Sequence, residues 1–373
     1  MALYWIYRSA SRLLPDEPSG FPAEPYIWFH GASIGEANAL GPLASLFADQ
    51  MPVVFTSNTQ AGIGAAKGFV AFRFWDNPRF VQKGLSRAKA LVVAESELWP
   101  NLLLTAKRNR VPAFLANARV NRGTRRWLAA RWLLSEMLLA FTEIYPKDET
   151  EARKIIELGA PEERVVYLGG LKFDSLANTA HGQREDFGFS DSLPLVVFGS
   201  VRSGEFRAIA EAASMLEDFH LAIAPRHRNR LGNLIHELRK RGVSFRTRTD
   251  KENHGVLVFD TVGELRVLYS VSDVAFVGGT LAPYGGHNIL EPAALGVPVI
   301  FGPHYENQPS EAEGLTAAGG GIIVRNATEL AMVVRRLLTD EGSRTLMAQR
   351  AKDFVERNRG ASGRIYKRII KLL

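Results

Sequence analysis

Residues 273–304 read DVAFVGGTLAPYGGHNILEPAALGVPVIFGPH, and their order of textures decides the fold. A short apolar run, Val274 to Val277, stops at Gly278-Gly279. A loop with a second glycine pair, Gly285-Gly286, leads into His287-Asn288 and a helical stretch, ILEPAALG, in which Pro292 is tolerable near the helix start. A second apolar run, VPVIFG, follows. Strand, glycine turn, helix and strand make a βαβ unit, which requires parallel strands.

The same alternation runs outward in both directions. Upstream in the second half are LPLVVFGS, HLAIAPRH and GVLVFD, and downstream is GGIIV. The first half offers YIWFH, PVVFTSN, ALVVAES, PAFLANA, EIYPK and VVYLGG. Between the halves, LANTAHGQREDFGFSDS is polar and lacks a period, so it reads as a linker. The expected organisation is two doubly wound α/β domains: residues 1–178, a linker at 179–191, and residues 192–373, with the last helix able to pack back on the N-terminal domain. Sheets of this kind bind ligands beyond the carboxyl ends of their strands, at topological switch points.

Composition narrows the chemistry. The chain has 373 residues, 46% hydrophobic and 23% charged, which is ordinary for globular domains. It has no cysteine, which rules out disulfides, thiolate catalysis and cysteine-ligated metal. A formal net charge of +7, with basic clusters at 107–110, 122–127, 239–248 and the C-terminal end, suggests an anionic partner. The clusters are scattered and no nucleic-acid recognition motif accompanies them, so no nucleic-acid partner is expected. No transmembrane helix is evident: WLAARWLLSEMLLAF is interrupted by Arg131 and Glu136. The first twenty residues combine Trp5, tyrosines, Arg8 and Arg12, and suit either an ordinary helix or a membrane surface.

Several motifs compete. Gly31-Ala-Ser33-Ile-Gly35 spells the G-x-S-x-G of a nucleophile elbow, but it follows the first strand, where no oxyanion-hole loop precedes it. Glu36 closes the same stretch. From spacing alone it is either a favourable charge at a helix N-terminus or a general base. Gly62-x-Gly64-x-x-x-Gly68 misses the dinucleotide fingerprint by one residue. Glu95 and Glu97 sit just past a strand, as a polar loop or a carboxylate pair. Thr261 and Glu264 fit a capping box. Ser200, Arg226 and His227 fall on the same expected rim as the glycine pairs, where free N–H groups at a helix start suit phosphate and Glu291 can accept ribose hydroxyls. The P-loop, HExxH, EF-hand and Asp-x-Asp patterns are missing, so no catalytic metal or cofactor is expected.

Taken in order, FHGASIGE, ESELWPNLL, NARV, GGLKFD, GSVRSGE, APRHRNR and the block from Asp260 to His304 resemble the 3-deoxy-D-manno-octulosonic acid (Kdo) transferases, over roughly residues 26–308. The resemblance implies a GT-B fold, with two Rossmann-like domains facing a central cleft. It implies an inverting, metal-independent glycosyltransferase moving Kdo from CMP-Kdo to a lipid A precursor in lipopolysaccharide assembly. The implied setting is the cytoplasmic face of the inner membrane, by peripheral association. By the same resemblance Glu36 is the general base. Ser200, Arg226, His227, Gly285, Gly286, His287, Asn288 and Glu291 hold the donor, and Ser33, Gly35, Glu95, Glu97, Arg119 and Lys172 line the acceptor side. Two other readings share the fold: transfer of another CMP-activated ulosonic acid or to another acceptor, and a non-catalytic binder of anionic lipid or glycan.

Overall fold

The structure, a computed structural model, describes residues 20–373 apart from 122–123, 125, 177–179, 217 and 251–254. The N-terminal segment read as a helix or membrane-surface element, and most of the basic cluster at 122–127, lie outside the described residues.

The chain divides into two units, one of residues 1–175 plus 358–373 and one of residues 176–357. Among the described residues the first unit carries six strands: β1 (Tyr26–His30), β2 (Val53–Ser57), β3 (Val70–Arg73), β4 (Ala88–Ala94), β5 (Ala113–Ala118) and β6 (Glu143–Pro146). They lie in the order β3-β2-β1-β4-β5-β6, and every pairing is parallel. The chain builds outward from β1 on one side, then returns to its other side with β4. The switch point is therefore the crevice beyond His30 and Ala94. β1 pairs Ile27 with Val53 and with Ala90, and all five of its residues are buried, as a strand covered on both faces must be.

The second unit carries β7 (Leu195–Val201), β8 (His220–Pro225), β9 (Phe245–Thr247), β10 (Val256–Val258), β11 (Val274–Val277), β12 (Val299–Phe301) and β13 (Gly321–Ile323). Their order is β13-β12-β11-β7-β8-β10-β9, again all parallel. Its switch point lies between β7 and β11, beyond Gly199 and Val277.

Three expectations change. VVYLGG forms no named strand; Val165 makes a single bridge to Ile144 before the backbone turns at Gly169, whose φ is 96°. β3 and β9 carried no strong apolar run because they are edge strands, partly exposed on their faces. The Thr261–Glu264 capping box does not form: Glu264 itself precedes the helix Leu265–Ser270, and its carboxylate accepts from the Thr261 hydroxyl and pairs with Arg248 at 3.1 Å.

The expected domain limits also move. Residues 180–191 belong to the second unit, where Phe187 and Phe189 are buried and Arg184 pairs with Asp273 at 2.7 Å. That segment was polar overall, but two aromatic residues are enough to dock it. At the other end, the last helix, Ala361–Leu372, packs back on the first unit and is grouped with it. Its Ala361, Ile365 and Ile369, at i, i+4 and i+8, are fully buried against the helix Ile34–Ala48 side of the sheet. Arg368 grips the buried Glu143 carboxylate in a forked pair, with Nη2 to Oε1 at 2.6 Å.

Candidate active site

The switch point of the first unit collects carboxylates. Ser33 is the N-cap of the helix Ile34–Ala48, with extended backbone (φ −125°). Its hydroxyl accepts from the Glu36 amide at 3.4 Å, and its own amide donates to Glu36 Oε2 at 2.8 Å. This is a reciprocal capping box. Gly31 is tightly packed here, since a Cβ would come within 3.1 Å of Glu36 Cβ and 3.3 Å of the Ala37 amide. Gly35 is not crowded: its Cβ would meet only Ser33 Oγ, at 3.9 Å. Glu36 is 8% exposed. Burial above all pushes its carboxyl up to about 7; the charges of Glu97 and Glu95 add to the rise, and the hydrogen bonds with Ser33 oppose it.

Glu95 and Glu97 leave the end of β4. Glu95 has a left-handed backbone (φ 49°), costly for a non-glycine residue. It pairs with Arg119 at 2.5 Å and accepts from Asn117 Nδ2 at 3.3 Å. Burial raises its pKa, while Arg119, Asn117 and Lys147 pull it down. Asn117, itself left-handed at φ 54°, sits at the end of β5. Glu97 Oε2 accepts from the Trp99 indole at 2.8 Å and lies 3.7 Å from Nε2 of His30. His30 is fully buried and its Nδ1 faces the Thr56 hydroxyl at 3.0 Å. Lys172 lies in the short turn Leu171–Phe173, which packs on the helix Ile34–Ala48 and β5.

The switch point of the second unit collects cations and backbone turns. Ser200 is left-handed (φ 56°) at a register irregularity between β7 and β8. Its carbonyl lies so near β11 that a Cβ on Gly278 would come within 2.8 Å of it. The His287 ring seats on Gly279, where a Cβ would fall 2.7 Å from ring Cδ2. Burial, then the charges of Arg226, Arg202 and His227, hold His287 down at about 4, so its imidazole is neutral and its buried Nε2 has no hydrogen-bond partner. Arg226 donates its amide to Val201, while its side chain is exposed. Gly285 and Gly286 take consecutive left-handed conformations (φ 83° and 84°), and Gly286 bonds back to the Gly279 carbonyl at 2.8 Å. Asn288 Nδ2 donates to Glu291 Oε1 at 3.0 Å. The Glu291 charge acts on Tyr269, whose hydroxyl occupies the space a side chain at Gly199 would need.

The second switch point departs from the sequence expectation. The glycine turn at 278–279 does not offer free N–H groups to a phosphate. The amides of Gly279, Thr280 and Leu281 donate to the carboxylate of Glu205, which is fully buried. The helix Leu290–Ala294 is also only five residues long, so its dipole is small. Positive charge at this rim therefore comes from Arg202 and Arg226 rather than from the backbone. The Ser33 elbow is likewise a helix cap.

Sequence reasoning missed His30, Asn117, Arg202 and Glu205. The signal for Ser33 was present: Ser33-x-x-Glu36 has capping-box spacing. For Glu205 there was little, because three of its four partners lie 74 to 76 residues away. Among the described residues, no group of three or more His, Asp or Glu side chains could hold a metal ion.

Two doubly wound parallel sheets on one chain, one switch point acidic and the other basic, define the GT-B fold. A solved glycosyltransferase from Rickettsia africae ESF-5 has this fold, with a TM-score of 0.67 at 14% identity over 94% of this chain and 100% of its own. The family description "3-Deoxy-D-manno-octulosonic-acid transferase (kdotransferase)" matches residues 8–175. The 3-deoxy-D-manno-octulosonic acid transferase of Chlamydia muridarum is 30% identical over 91% of this chain and 84% of its own length. A bifunctional glycosyltransferase/methyltransferase of Fusobacterium nucleatum is 29% identical over 94% of this chain, which spans 58% of that longer protein. The chain belongs to the Kdo transferase family and is a glycosyltransferase.

Proposed function

We propose that the chain transfers Kdo from CMP-Kdo to a lipid A precursor in lipopolysaccharide assembly, with inversion and without a metal ion. The observation that carries the reading is Glu36: a buried carboxylate at a switch point, raised to about 7 by burial and by Glu97 and Glu95. A general base works best when its pKa lies near the working pH, so that it is ionised yet still basic. Glu36 removes the proton of the acceptor hydroxyl through one carboxylate oxygen while Ser33 holds the other.

In this reading the donor lies on the second unit. Its CMP phosphate is matched by Arg226, with Arg202 and His227 adding field, and its ribose by Glu291, whose carboxylate Asn288 orients. Cationic side chains stabilise the charge that develops on the departing phosphate, the role a metal plays elsewhere. Gly285 and Gly286 shape the loop beside it. Glu95, held by Arg119, and Lys172 serve the acceptor side, as do the open space at Gly35 and the Glu97 carboxylate. The net charge of +7 suits a phosphorylated acceptor in an anionic bilayer, at the cytoplasmic face of the inner membrane. No helix among the described residues is long and apolar enough to cross a membrane, and peripheral attachment needs none.

The test is CMP release from freshly generated CMP-Kdo, with and without a tetraacylated lipid A precursor, in the presence of a chelator. Acceptor-dependent release that survives chelation and collapses in Glu36→Gln is the expected result. Release that requires a divalent ion, or that persists in the variant, overturns the mechanism. A panel of other CMP-activated ulosonic acids checks the donor.

A further inference from the structure

The carboxylate of Glu205 is placed as a bound anion would be. It is fully buried, and each oxygen takes two backbone amides. Oε2 accepts from Gly279 at 2.7 Å and Arg202 at 2.8 Å; Oε1 accepts from Thr280 and Leu281, both at 2.8 Å. A carboxylate offers about four lone-pair sites, and here all are used. Three successive amides converging after a left-handed glycine (Gly279, φ 74°) form an anion nest. The nest lies just beyond β11, at the switch point where sheets of this type take ligands. Burying a carboxylate is costly unless it is fully hydrogen-bonded, and four charge-assisted bonds offset that cost.

Two consequences follow from the connections. Glu205 ties the exit of β7, through Arg202, to the exit of β11, through Gly279–Leu281. Gly279 in turn is the seat of the His287 ring. The ring Nε2 is buried and without a hydrogen-bond partner beside the charges of Arg226, Arg202 and His227. A donor phosphate brought to this rim finds the nest already full, and finds an orphaned imidazole and an exposed guanidinium beside it.

We propose that Glu205 is a built-in oxyanion, a positioning residue that fills the Gly279–Leu281 nest and so hands a donor's phosphate to the side chains of Arg226 and His287. This rests on the reading that the donor carries a phosphate and binds the second unit.

The experiment uses the full chain with Glu205→Ala and Glu205→Gln. It measures CMP binding by calorimetry, kcat and KM for the donor, and the melting temperature, each with formate or with chloride at equal ionic strength. In Glu205→Ala the donor KM and the CMP Kd rise about tenfold or more, with a smaller change in kcat. Formate re-enters the vacated nest, raises the melting temperature of Glu205→Ala and recovers part of the affinity, and does neither in the wild type. Glu205→Gln fills the nest with an amide whose NH2 opposes two N–H donors, so it loses affinity and gains nothing from formate. Unchanged or tighter CMP binding in both variants overturns the proposal, as does a Glu205→Ala defect that formate leaves untouched. If Glu205→Ala fails to fold, formate-dependent recovery of folded protein still reports on the nest, and Glu205→Gln carries the affinity test. If the wild type itself binds no CMP, the donor reading fails, while the melting response to formate still decides the role of Glu205.

Discussion

The two switch points share a topology and carry opposite charge. In the first unit, Glu36, Glu95 and Glu97 crowd beyond β1 and β4, and burial together with the charges of Glu97 and Glu95 makes Glu36 harder to ionise. In the second, Arg202, Arg226 and His227 surround a neutral His287, and the fully buried carboxylate there is hydrogen-bonded by four amides. The same physics acts in opposite senses: burial and like charge push a carboxyl up towards neutrality and an imidazole down away from protonation. One point becomes basic enough to accept a proton. The other stays open to an anion. Both also hold strained backbone: of the five non-glycine residues with positive φ among those described, Glu95, Asn117 and Ser200 lie in these two places.

The comparison breaks first at Glu36. Glu36→Gln is expected to lower kcat by about 10²–10⁴-fold while leaving CMP affinity intact, measured by steady-state transfer and calorimetry. Arg226→Gln should do the reverse, raising the donor KM by roughly 10–100-fold, the worth of a hydrogen bond to a charged group, with a smaller effect on kcat. If both variants lost kcat and affinity alike, the division of labour would be wrong.

pH sharpens the contrast. With Glu36 at about 7, kcat/KM for the acceptor should climb about tenfold per pH unit below neutrality and level off above it. The same group carries a stability signature. Its folded pKa exceeds its ordinary 4.5, so its contribution is full below about pH 4.5 and is lost as pH rises to about 7. Glu36→Gln should therefore gain stability relative to the wild type across that window, by roughly 1–3 kcal/mol, in denaturant melts at pH 5 and pH 8. A flat difference would mean that Glu36 is not held near neutrality.

The smallest effects belong to two glycines four residues apart. Gly31→Ala crowds Glu36 and the Ala37 amide and should lower the melting temperature. Gly35→Ala has room in the first turn of a helix and should raise stability by about 0.5–1 kcal/mol. A rate loss in Gly35→Ala despite that gain would mark the space as one the acceptor uses.

The sequence showed the parts that are local. Apolar runs ended by glycine or polar turns located eleven of the thirteen strands among the described residues, because the inner strands of a parallel sheet are buried on both faces and read as apolar runs. β3 and β9 escaped because each is a short edge strand, partly exposed and carrying an arginine, with no apolar run to mark it. Glu36 was visible from its neighbours Gly31 and Ser33, but whether it was a cap or a base depended on burial and on Glu95 and Glu97, some sixty residues on. His30 looked like the end of a strand; its contact with Glu97 exists only once β1 and β4 are adjacent. Glu205 was hidden most completely, since a carboxylate bonded only to backbone leaves no pattern in side-chain identities.

The helix Ala361–Leu372 completes the first unit from the far end of the chain. On the ribosome, the sheet from β1 to β6 emerges long before that helix does. Until it arrives, the face that will cover Ile365 and Ile369 is bare, and the Glu143 carboxylate has no Arg368 to pair with. The second unit holds all of its own strands and helices within one continuous segment, so it can finish first. Of the two units, the one synthesised earlier is then the last to reach its native state, and a nascent chain stalled before Ala361 exposes an apolar surface of the kind chaperones recognise.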